Sequence, residues 1–329
     1  AKKNMEISSL RNTIGNAGFL PSVDLRGSTN NSANNIRQQF INGEENNRDG
    51  AKSSSFGGSV DLNWTLFDGF EMFYRKDELE LREEQSLVSL ESEIRQTSTD
   101  IINSFLNVAL TQQELVSYQS ILEASGKQVK IARLKWKSGS GSRLELMRLQ
   151  ADFNSDSIAF EQAKVRHQSN LILLARLTQI EDIESVSTNF GFNLDSAPYN
   201  ELLEKLYDNN NNLQLARNRL SLAQNAIKQN QSTNYPEIGL NLGYDFLESE
   251  SEAGFLASNR NYGWNYGFSL NYNLFNGLQS RNAIEVAREN LDYESLLTEL
   301  ITIEEEDKLQ QAYIEYDSYQ SLLELSNEN

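Results

Sequence analysis

Residues 59–69 read Ser59-Val60-Asp61-Leu62-Asn63-Trp64-Thr65-Leu66-Phe67-Asp68-Gly69, and the pattern returns at 267–277 as Gly267-Phe268-Ser269-Leu270-Asn271-Tyr272-Asn273-Leu274-Phe275-Asn276-Gly277. In each copy apolar residues alternate with polar ones, which is the period of a β-strand with one apolar and one polar face. Each copy then ends in phenylalanine, an aspartate or asparagine, and glycine. This repeated stretch predicts two equivalent amphipathic strands within one chain.

The repetition continues upstream of both strands. Leu20-Pro21-Ser22-Val23-Asp24-Leu25 recurs as Tyr235-Pro236-Glu237-Ile238-Gly239-Leu240, and residues 1–5 match 216–220 at the same offset of 215 positions. Downstream the offset is 208, so the two copies differ by seven residues in the polar segment between their strands. The chain is therefore predicted to be an internal duplication, with a first repeat at 1–215 and a second at 216–329.

Each repeat is predicted as helix, strand, polar loop, strand and long helix. The strands are expected at about 20–27 and 56–67 in the first repeat, and at about 235–247 and 263–275 in the second. The joining segments 28–55 and 248–261 are rich in Asn, Ser, Gly and charge and show no apolar period. They are predicted to be exposed loops.

A heptad pattern begins after Gly69. At every seventh position from Leu87 to Trp136 most residues are large and apolar, and in an interleaved row of positions from 90 to 132 most residues are small. This heptad pattern predicts a coiled-coil helix at about 71–137. The composition of 138–142 indicates a turn, after which a helix returns to about 177 along two heptad rows that start at Leu144 and Leu146. Residues 178–200 lose the period, 201–231 are helical again, and a further helix is expected at about 278–325.

Composition excludes several functions. Of the 329 residues 29 are basic and 47 acidic, and the net charge of -18 argues against a nucleic-acid partner. The chain has no cysteine, and its one histidine, His167, lies in a helical heptad row, so we expect a structural histidine, no metal site, no cofactor and no catalytic residues. The longest apolar run has five residues, far below the roughly 20 that a transmembrane helix needs.

The amphipathic strands suit a membrane barrel better than a soluble sandwich. They are close to the ~9–11 residues that cross a bilayer at a tilt, and their apolar faces carry aromatic residues at the ends. Four strands cannot close such a barrel, so several copies must share it. Two copies would supply ~8 strands and three ~12, and symmetry by itself permits either. The alternative is a soluble hairpin pair packed on helices.

These features together resemble the TolC-like outer-membrane efflux protein family over almost the entire chain. The resemblance rests on the duplicated strands, the proline before each first strand, and Ala132-Arg133-Leu134-Lys135-Trp136-Lys137-Ser138-Gly139 followed by Leu144-Glu145-Leu146. It implies a mixed α/β membrane protein in which long periplasmic coiled-coil hairpins join four antiparallel strands of a shared trimeric β-barrel. The segment at about 178–200 would belong to an equatorial belt.

The resemblance also implies a function. Proteins of this kind are passive exit ducts of tripartite efflux or type I secretion systems in the outer membrane of Gram-negative bacteria. Their partners are a periplasmic adaptor, an inner-membrane transporter and the lipid of the outer membrane. At the gapless offset Asn329 aligns with Ile121, so the tip and returning helix of the second repeat are absent from this sequence.

The turn after the first long helix is unusually basic. Residues 126–148 hold seven Lys or Arg against one acid, Glu145, although cations that complement the helix dipole are needed only in the last turn. By resemblance, Arg133, Leu134 and Gly139 fall on the family motif where adaptor hairpins dock. We predict an adaptor-docking tip formed by Lys130, Arg133, Leu134, Lys135, Lys137, Gly139, Gly141, Arg143 and Glu145.

The polar faces of the strands would line the lumen of a duct. The residues predicted for this role are Asp24, Asp61, Asn63, Asn241, Asp245, Asn271 and Asn273. Without a barrel they would be the solvent side of a sheet. Two rival functions stay open: a non-transporting coiled-coil scaffold, which the membrane-length strands disfavour, and a periplasmic adaptor, which the duplication of the whole chain disfavours.

Overall fold

The computed structural model describes residues 1–41, 43–187, 197–253 and 256–327. The chain forms two compact units. Residues Ala1–Leu90 and Pro198–Asn329 make the sheet unit, and Glu91–Ala197 make the hairpin unit. The helices are α1 Lys2–Arg11, α2 Glu71–Lys137, α3 Arg143–Thr178, α4 Tyr199–Asn209, α5 Asn211–Ser232 and α6 Gln279–Asn327.

The sheet unit contains a four-stranded antiparallel sheet in the order β1-β2-β3-β4. Its strands are β1 Ser22–Gln39, β2 Glu45–Asp68, β3 Glu237–Ser251 and β4 Ser258–Asn271. Sequence neighbours pair throughout, including β2 with β3, which lie on opposite sides of the long helices in the sequence. Among the described residues β1 and β4 each have one strand neighbour, so the sheet has two open edges.

The predicted strand bounds are wrong for the first hairpin. Most of 28–55, expected to be an exposed loop, is β-structure, because β1 continues to Gln39 and β2 begins at Glu45. Ser, Asn and charged residues occupy both faces there, so no apolar period marks the strands, whereas backbone hydrogen bonds hold them together. Likewise β3 extends to Ser251, and β4 ends at Asn271, not near 275, because its partner β3 begins opposite at Glu237.

The single helix expected at 201–231 is two helices. Asn210 has an extended backbone, with φ -75° and ψ 120°, and separates α4 from α5. Its side-chain oxygen accepts hydrogen bonds from the backbone nitrogens of Asn212 and Leu213, so it caps α5. The run of four asparagines at 209–212 carried this signal, since asparagine favours the N-cap over the helix interior. The segment 178–200 falls partly outside the described residues.

Each strand pair passes into its long helix through the same backbone conformation. Gly69 and Phe70 both have φ of 71°, and Gly277 and Leu278 both have φ of 67°. At Gly69 a side chain is excluded, because a Cβ would collide with the carbonyl oxygen of Ser232 and lie 2.9 Å from Cβ of Tyr235. The end of β2 is therefore packed tightly against the end of α5.

In the sheet unit, α5 lies along the start of α2. Three asparagines of α5, spaced seven residues apart, donate side-chain hydrogen bonds to backbone carbonyls of α2 with the same spacing. The pairs are Asn211 to Val88 at 3.3 Å, Asn218 to Leu81 at 3.0 Å and Asn225 to Tyr74 at 2.6 Å. All three asparagines are buried. We call these three pairs the asparagine ladder. They join α5 to α2, just as β3 pairs antiparallel with β2 in the sheet.

The hairpin unit is built from the outer part of α2 and from α3. Its core is small and partly polar: Val108, Ala163 and Leu174 are buried together with His167 and Thr111. Nδ1 of His167 lies 3.2 Å from Oγ1 of Thr111, which gives the buried ring a hydrogen-bond partner. Within the described ranges, no helix combines the length and the apolarity needed to cross a membrane.

Candidate functional site

The strand register sorts the sheet into an apolar and a polar face. Directly paired residues of neighbouring strands point to the same side. One such row crosses all four strands through Val23, Leu62, Leu242 and Tyr266, and all four residues are apolar or aromatic. Since side chains alternate along each strand, the intervening rows belong to the opposite face.

The rows on either side of it extend the apolar face. One joins Leu25, Val60, Tyr244 and Trp264, and Tyr244 and Trp264 pack edge to face with ring centroids 5.1 Å apart. Leu25 is 83% exposed, and Val60, Tyr244 and Trp264 are exposed as well. A contiguous exposed apolar surface of this extent marks a contact with lipid or with another protein.

Aromatic residues lie at both ends of this face. At the end near the helices Trp64 pairs with Leu240, and its ring nitrogen donates a 2.9 Å hydrogen bond to the carbonyl of Phe19. At the far end Phe56 and Phe246 pack edge to face at 6.1 Å. Aromatic girdles that flank an apolar band are typical of strands that cross an outer membrane.

The polar face contains most of the residues predicted to line a lumen. Asp24 pairs with Asp61, and Asn63 pairs with Asn241, so these four share one side of the sheet. Asp245 and Asn271 lie on the same side, opposite Ser59 and Glu237 respectively. Asn273 lies beyond the end of β4. The register brings six of the seven residues onto one face, and their role in lining a lumen stays a prediction.

Two carboxylates of this face make polar contacts with neighbouring side chains. Asp61 accepts a 2.7 Å hydrogen bond from the hydroxyl of Ser59 and lies 3.5 Å from Nη1 of Arg26. The Arg26 side chain is largely exposed, so this ion pair contributes at most about 1 kcal/mol. Asp245 accepts a hydrogen bond from the side-chain amide of Asn265.

The turn between α2 and α3 has a defined geometry. Gly139 has φ of 77°, and the backbone nitrogen of Ser140 donates to the carbonyl of Lys135 at 2.9 Å. A Cβ on Gly141 would lie 2.9 Å from that of Lys135, so the chain folds back with no room for a side chain there. Ser142 caps α3 by accepting from the backbone nitrogen of Glu145 at 3.1 Å. The tip is thus a compact capped turn.

The surface of this tip is basic and apolar at once. All seven basic residues of 126–148 are exposed, and among the described residues none of them forms an ion pair with a carboxylate. Leu134 is 65% exposed, and Leu144 and Met147 are exposed beside it. Ala132 and Leu146 are buried beneath them and hold the two helices together. Uncompensated charge next to exposed apolar side chains indicates a contact surface.

The structure adds tip residues that the sequence did not single out. Leu144 and Met147 are contact candidates, but Leu144 belongs to a heptad row and reads in the sequence as a core position. That whole row is exposed, whereas the row from Leu146 to Leu174 faces α2. The exposed row consists of Leu144, Ala151, Ile158, Val165 and Ile172. The sequence could have indicated this exposure, because α3 has two heptad rows but only one partner helix in its own hairpin.

The described residues contain no group of three or more acidic or histidine side chains arranged to hold a metal ion. Within the described ranges, the sheet and the tip are two surfaces with a marked chemical character. The sheet has an apolar face and a polar face, and the tip is a basic turn at the end of a helical hairpin.

The fold is shared with solved outer-membrane proteins. The chain is similar to the outer membrane protein VceC of Vibrio cholerae, with 13% sequence identity and a TM-score of 0.74, covering 99% of this chain and 77% of that chain. It is also similar to the CmeC outer membrane channel of Campylobacter jejuni, with 16% identity and a TM-score of 0.73, covering 99% and 72%. No curated protein sequence matches the chain.

The two-faced sheet and the long helices define the class of outer-membrane efflux channels. The chain belongs to the outer membrane efflux protein family, whose match covers residues 10–178 and 202–329. This is a family of channels and not of enzymes.

Proposed function

We propose that three copies of this chain form one twelve-stranded barrel in the outer membrane of a Gram-negative bacterium. The observation that carries the proposal is a four-stranded sheet with an apolar face, a polar face and two open edges. A strand edge exposed in a bilayer leaves backbone groups without hydrogen-bond partners, so the edges must be closed by further copies.

Lumen size favours three copies over two. A barrel of about eight strands has an interior that its own side chains fill, whereas larger barrels enclose an aqueous channel. The polar face of this sheet bears carboxylates and amides that need water, for example Asp61 and Asn241. About twelve strands leave room for that water, and eight do not.

The assembled protein would act as a passive exit duct of a tripartite efflux or type I secretion system. The polar face would line the duct through Asp24, Asp61, Asn63, Asn241, Asp245, Asn271 and Asn273. In the proposed duct, energy and substrate choice would come from an inner-membrane transporter.

The basic tip would dock a periplasmic adaptor. Its cations lie on a chain of net charge -18, so a partner with acidic residues at its own tip would be guided to this point and away from the rest of the surface. Exposed Leu134 and Leu144 supply apolar area that such a contact can bury. A coiled-coil scaffold without transport would have no use for the exposed apolar face of the sheet.

The test is the size of the protein in detergent together with export. Light scattering of the detergent-extracted protein should give the mass of three chains, and cells that lack the protein should accumulate a substrate of its transporter. A monodisperse monomer, or protein that stays soluble without detergent, would overturn the proposal.

A further inference from the structure

The polar face of the sheet contains an open cavity of about 1040 Å³. Two complete rows of paired residues line it, one running from Arg26 to Gly263 and the next from Ser28 to Asn261. Both rows cross all four strands, so a single chain forms the whole cavity. Its volume suits a small molecule, since ligand pockets measure roughly 300–1,000 Å³.

Glycines lower the floor of this cavity. Gly57 lies opposite Leu247 in one row, and Gly263 lies opposite Asp245 in the other. Nothing lies within 4 Å of where a Cβ of Gly263 would be, so a side chain there would enter open space. Leu247 is 44% exposed although it belongs to the polar face. The floor is therefore recessed and partly apolar.

Opposite charges stand on the two sides of the cavity. Arg26 and Asp245 belong to the same row with Ser59 between them, so they are two strand spacings, about 10 Å, apart. The Arg26 side chain is 68% exposed, and its ion pair with Asp61 is long at 3.5 Å. A guanidinium group has five N–H donors, so this single pair leaves donors for a ligand.

The carboxylate of Asp245 is oriented by a neighbour and stays open to a ligand. The side-chain amide of Asn265 on β4 donates a hydrogen bond to it. Asn265 in turn lies over Gly243, where a Cβ would come within 2.7 Å of the Asn265 side-chain oxygen. A carboxylate offers about four acceptor positions, so an ammonium group can still bind. Asn265 is thus a positioning residue for Asp245.

The charges of the cavity fit a zwitterion better than a singly charged solute. In the polar-face rows that pair from Ser22 to Asn34, as far as the structure describes them, Arg26 is the one basic residue. An anion at Arg26 would also approach Asp61, which repels it. A cation at Asp245 would leave Arg26 without a partner. A molecule with both charges satisfies both sides at once.

We infer that this cavity binds small amphipathic zwitterions, with the ligand carboxylate at Arg26, its ammonium group at Asp245 and its apolar body on Leu247. The inference rests on the proposed duct, in which each copy would contribute one such site to the lumen. Phe246 of the outer aromatic girdle lies between the two rows on the opposite face, which places the site near the outer end of the apolar band. The transporter would select what enters, and the wall would retain this class of solute longer.

A tripeptide with free termini is a suitable probe. Leu-Phe-Leu has an apolar body, and three extended residues hold its ammonium and carboxylate groups about 10 Å apart. Equilibrium dialysis against the detergent-extracted protein measures its dissociation constant, with empty micelles as the blank. The same peptide acetylated at its amino end, or amidated at its carboxyl end, lacks one charge. The free peptide should bind at least fivefold more tightly than either capped form.

Variants assign each charge to its side chain. Asp245→Asn should bind the free and the acetylated peptide equally, and Arg26→Gln should bind the free and the amidated peptide equally. Gly263→Gln should fill the cavity and weaken binding of the free peptide at least fivefold. Gly267→Gln is the matched control, because Gly267 lies on the same face of β4 outside the cavity, also with nothing within 4 Å of its Cβ position. It should bind like the natural protein.

The outcomes separate the site from the duct. A trimer by light scattering that binds all three peptides equally would overturn the site and leave the proposed function standing, and this comparison needs no variant to fold. Equal losses in Gly263→Gln and Gly267→Gln would also overturn the site, because binding would then lie outside the cavity. A monomer that still discriminates among the peptides would support the site and overturn the duct. A monomer that does not discriminate would overturn both.

Discussion

The side-chain amide of Asn218 donates a 3.0 Å hydrogen bond to the backbone carbonyl of Leu81, across 137 positions of sequence. Asn218 is 6% exposed, and its own side-chain oxygen has no hydrogen-bond partner among the described residues. The bond is the middle step of the asparagine ladder. Its acceptor is a backbone group, so the contact depends on where α2 lies and not on which side chain α2 carries there.

Replacing Asn218 tests the direction of this bond. In Asn218→Asp a buried charge faces the carbonyl of Leu81 and lies close to Glu84, so we expect a loss of about 2–4 kcal/mol in the free energy of unfolding. In Asn218→Leu the donor is lost together with the unpaired oxygen, and the change should stay within about 1 kcal/mol. Thermal unfolding followed by circular dichroism measures both, with the exposed Asn290→Asp as control. Equal losses in both variants would argue against the bond.

Two glycines with the same backbone angle should tolerate alanine differently. Gly69→Ala adds a methyl group that collides with the Ser232 carbonyl, in addition to the cost of a left-handed residue, about 1–2 kcal/mol. Gly277→Ala incurs only that second cost in the single chain, because the space around it is open. We expect Gly69→Ala to lower the unfolding temperature of the detergent-extracted protein clearly more than Gly277→Ala. The reverse order would contradict the packing at Gly69.

Glu305 should make stability depend on acid pH. Burial by itself would raise its pKa, but hydrogen bonds from Lys308, Asn210 and Asn212 hold the pKa below the usual value of 4.5. A lowered pKa means that the carboxylate stabilises the fold above about pH 4.5. That stability is lost as pH falls through the lowered value.

The measurement compares unfolding temperatures between pH 7 and pH 3. Glu305→Gln should be less stable than the natural protein at pH 7 and should lose less on acidification. Glu304→Gln, an exposed neighbour on the same helix, serves as control and should follow the natural protein. Parallel curves for all three proteins would show that Glu305 does not contribute to the pH dependence.

Charge reversal at the basic tip should separate folding from docking. Lys130, Lys135 and Lys137 are exposed and make no ion pair in the described part of the chain, so changing all three to Glu should leave the yield of membrane-inserted trimer near normal. Export of a transporter substrate should fall strongly, because complementary charge steers and orients the encounter with the adaptor. Reversal at Lys164 and Arg176 of α3 is the control. Normal export with the triple variant would remove the docking role of these lysines.

The turn between β1 and β2 should face the cell exterior. It lies at the end of the strands opposite the helices, and the hydrogen bond from the nitrogen of Gly43 to the carbonyl of Phe40 closes it. An epitope inserted after Gly43 should be labelled on intact cells. One inserted after Ser140, in the helical turn, should be labelled only after the outer membrane is permeabilised. The opposite pattern would reverse the topology.

The helices and the faces of the strands follow from local patterns. The heptad spacing predicts a helix at about 71–137, and α2 runs from Glu71 to Lys137. Alternation of Val60, Asp61 and Leu62 is enough to assign opposite faces, since a strand turns each successive side chain to the other side. The extended first hairpin escaped prediction because both of its faces are polar. There the strands are joined by backbone hydrogen bonds and by polar side-chain contacts such as that between Ser32 and Ser53, and the side chains show no apolar period.

The sequence by itself predicted an internal repeat, and it determined the two faces of the strands and the basic charge of the tip, because each of these depends on the order of side chains along one segment. Only the tertiary structure decided which segments meet. It paired β2 with β3, laid Asn218 on Leu81 and left Leu144 and its heptad row exposed on α3. The reason is physical: a heptad row or a strand edge can pack against any partner of similar shape. The partner that is actually bound depends on which segments the folded chain brings together, and not on their order in the sequence.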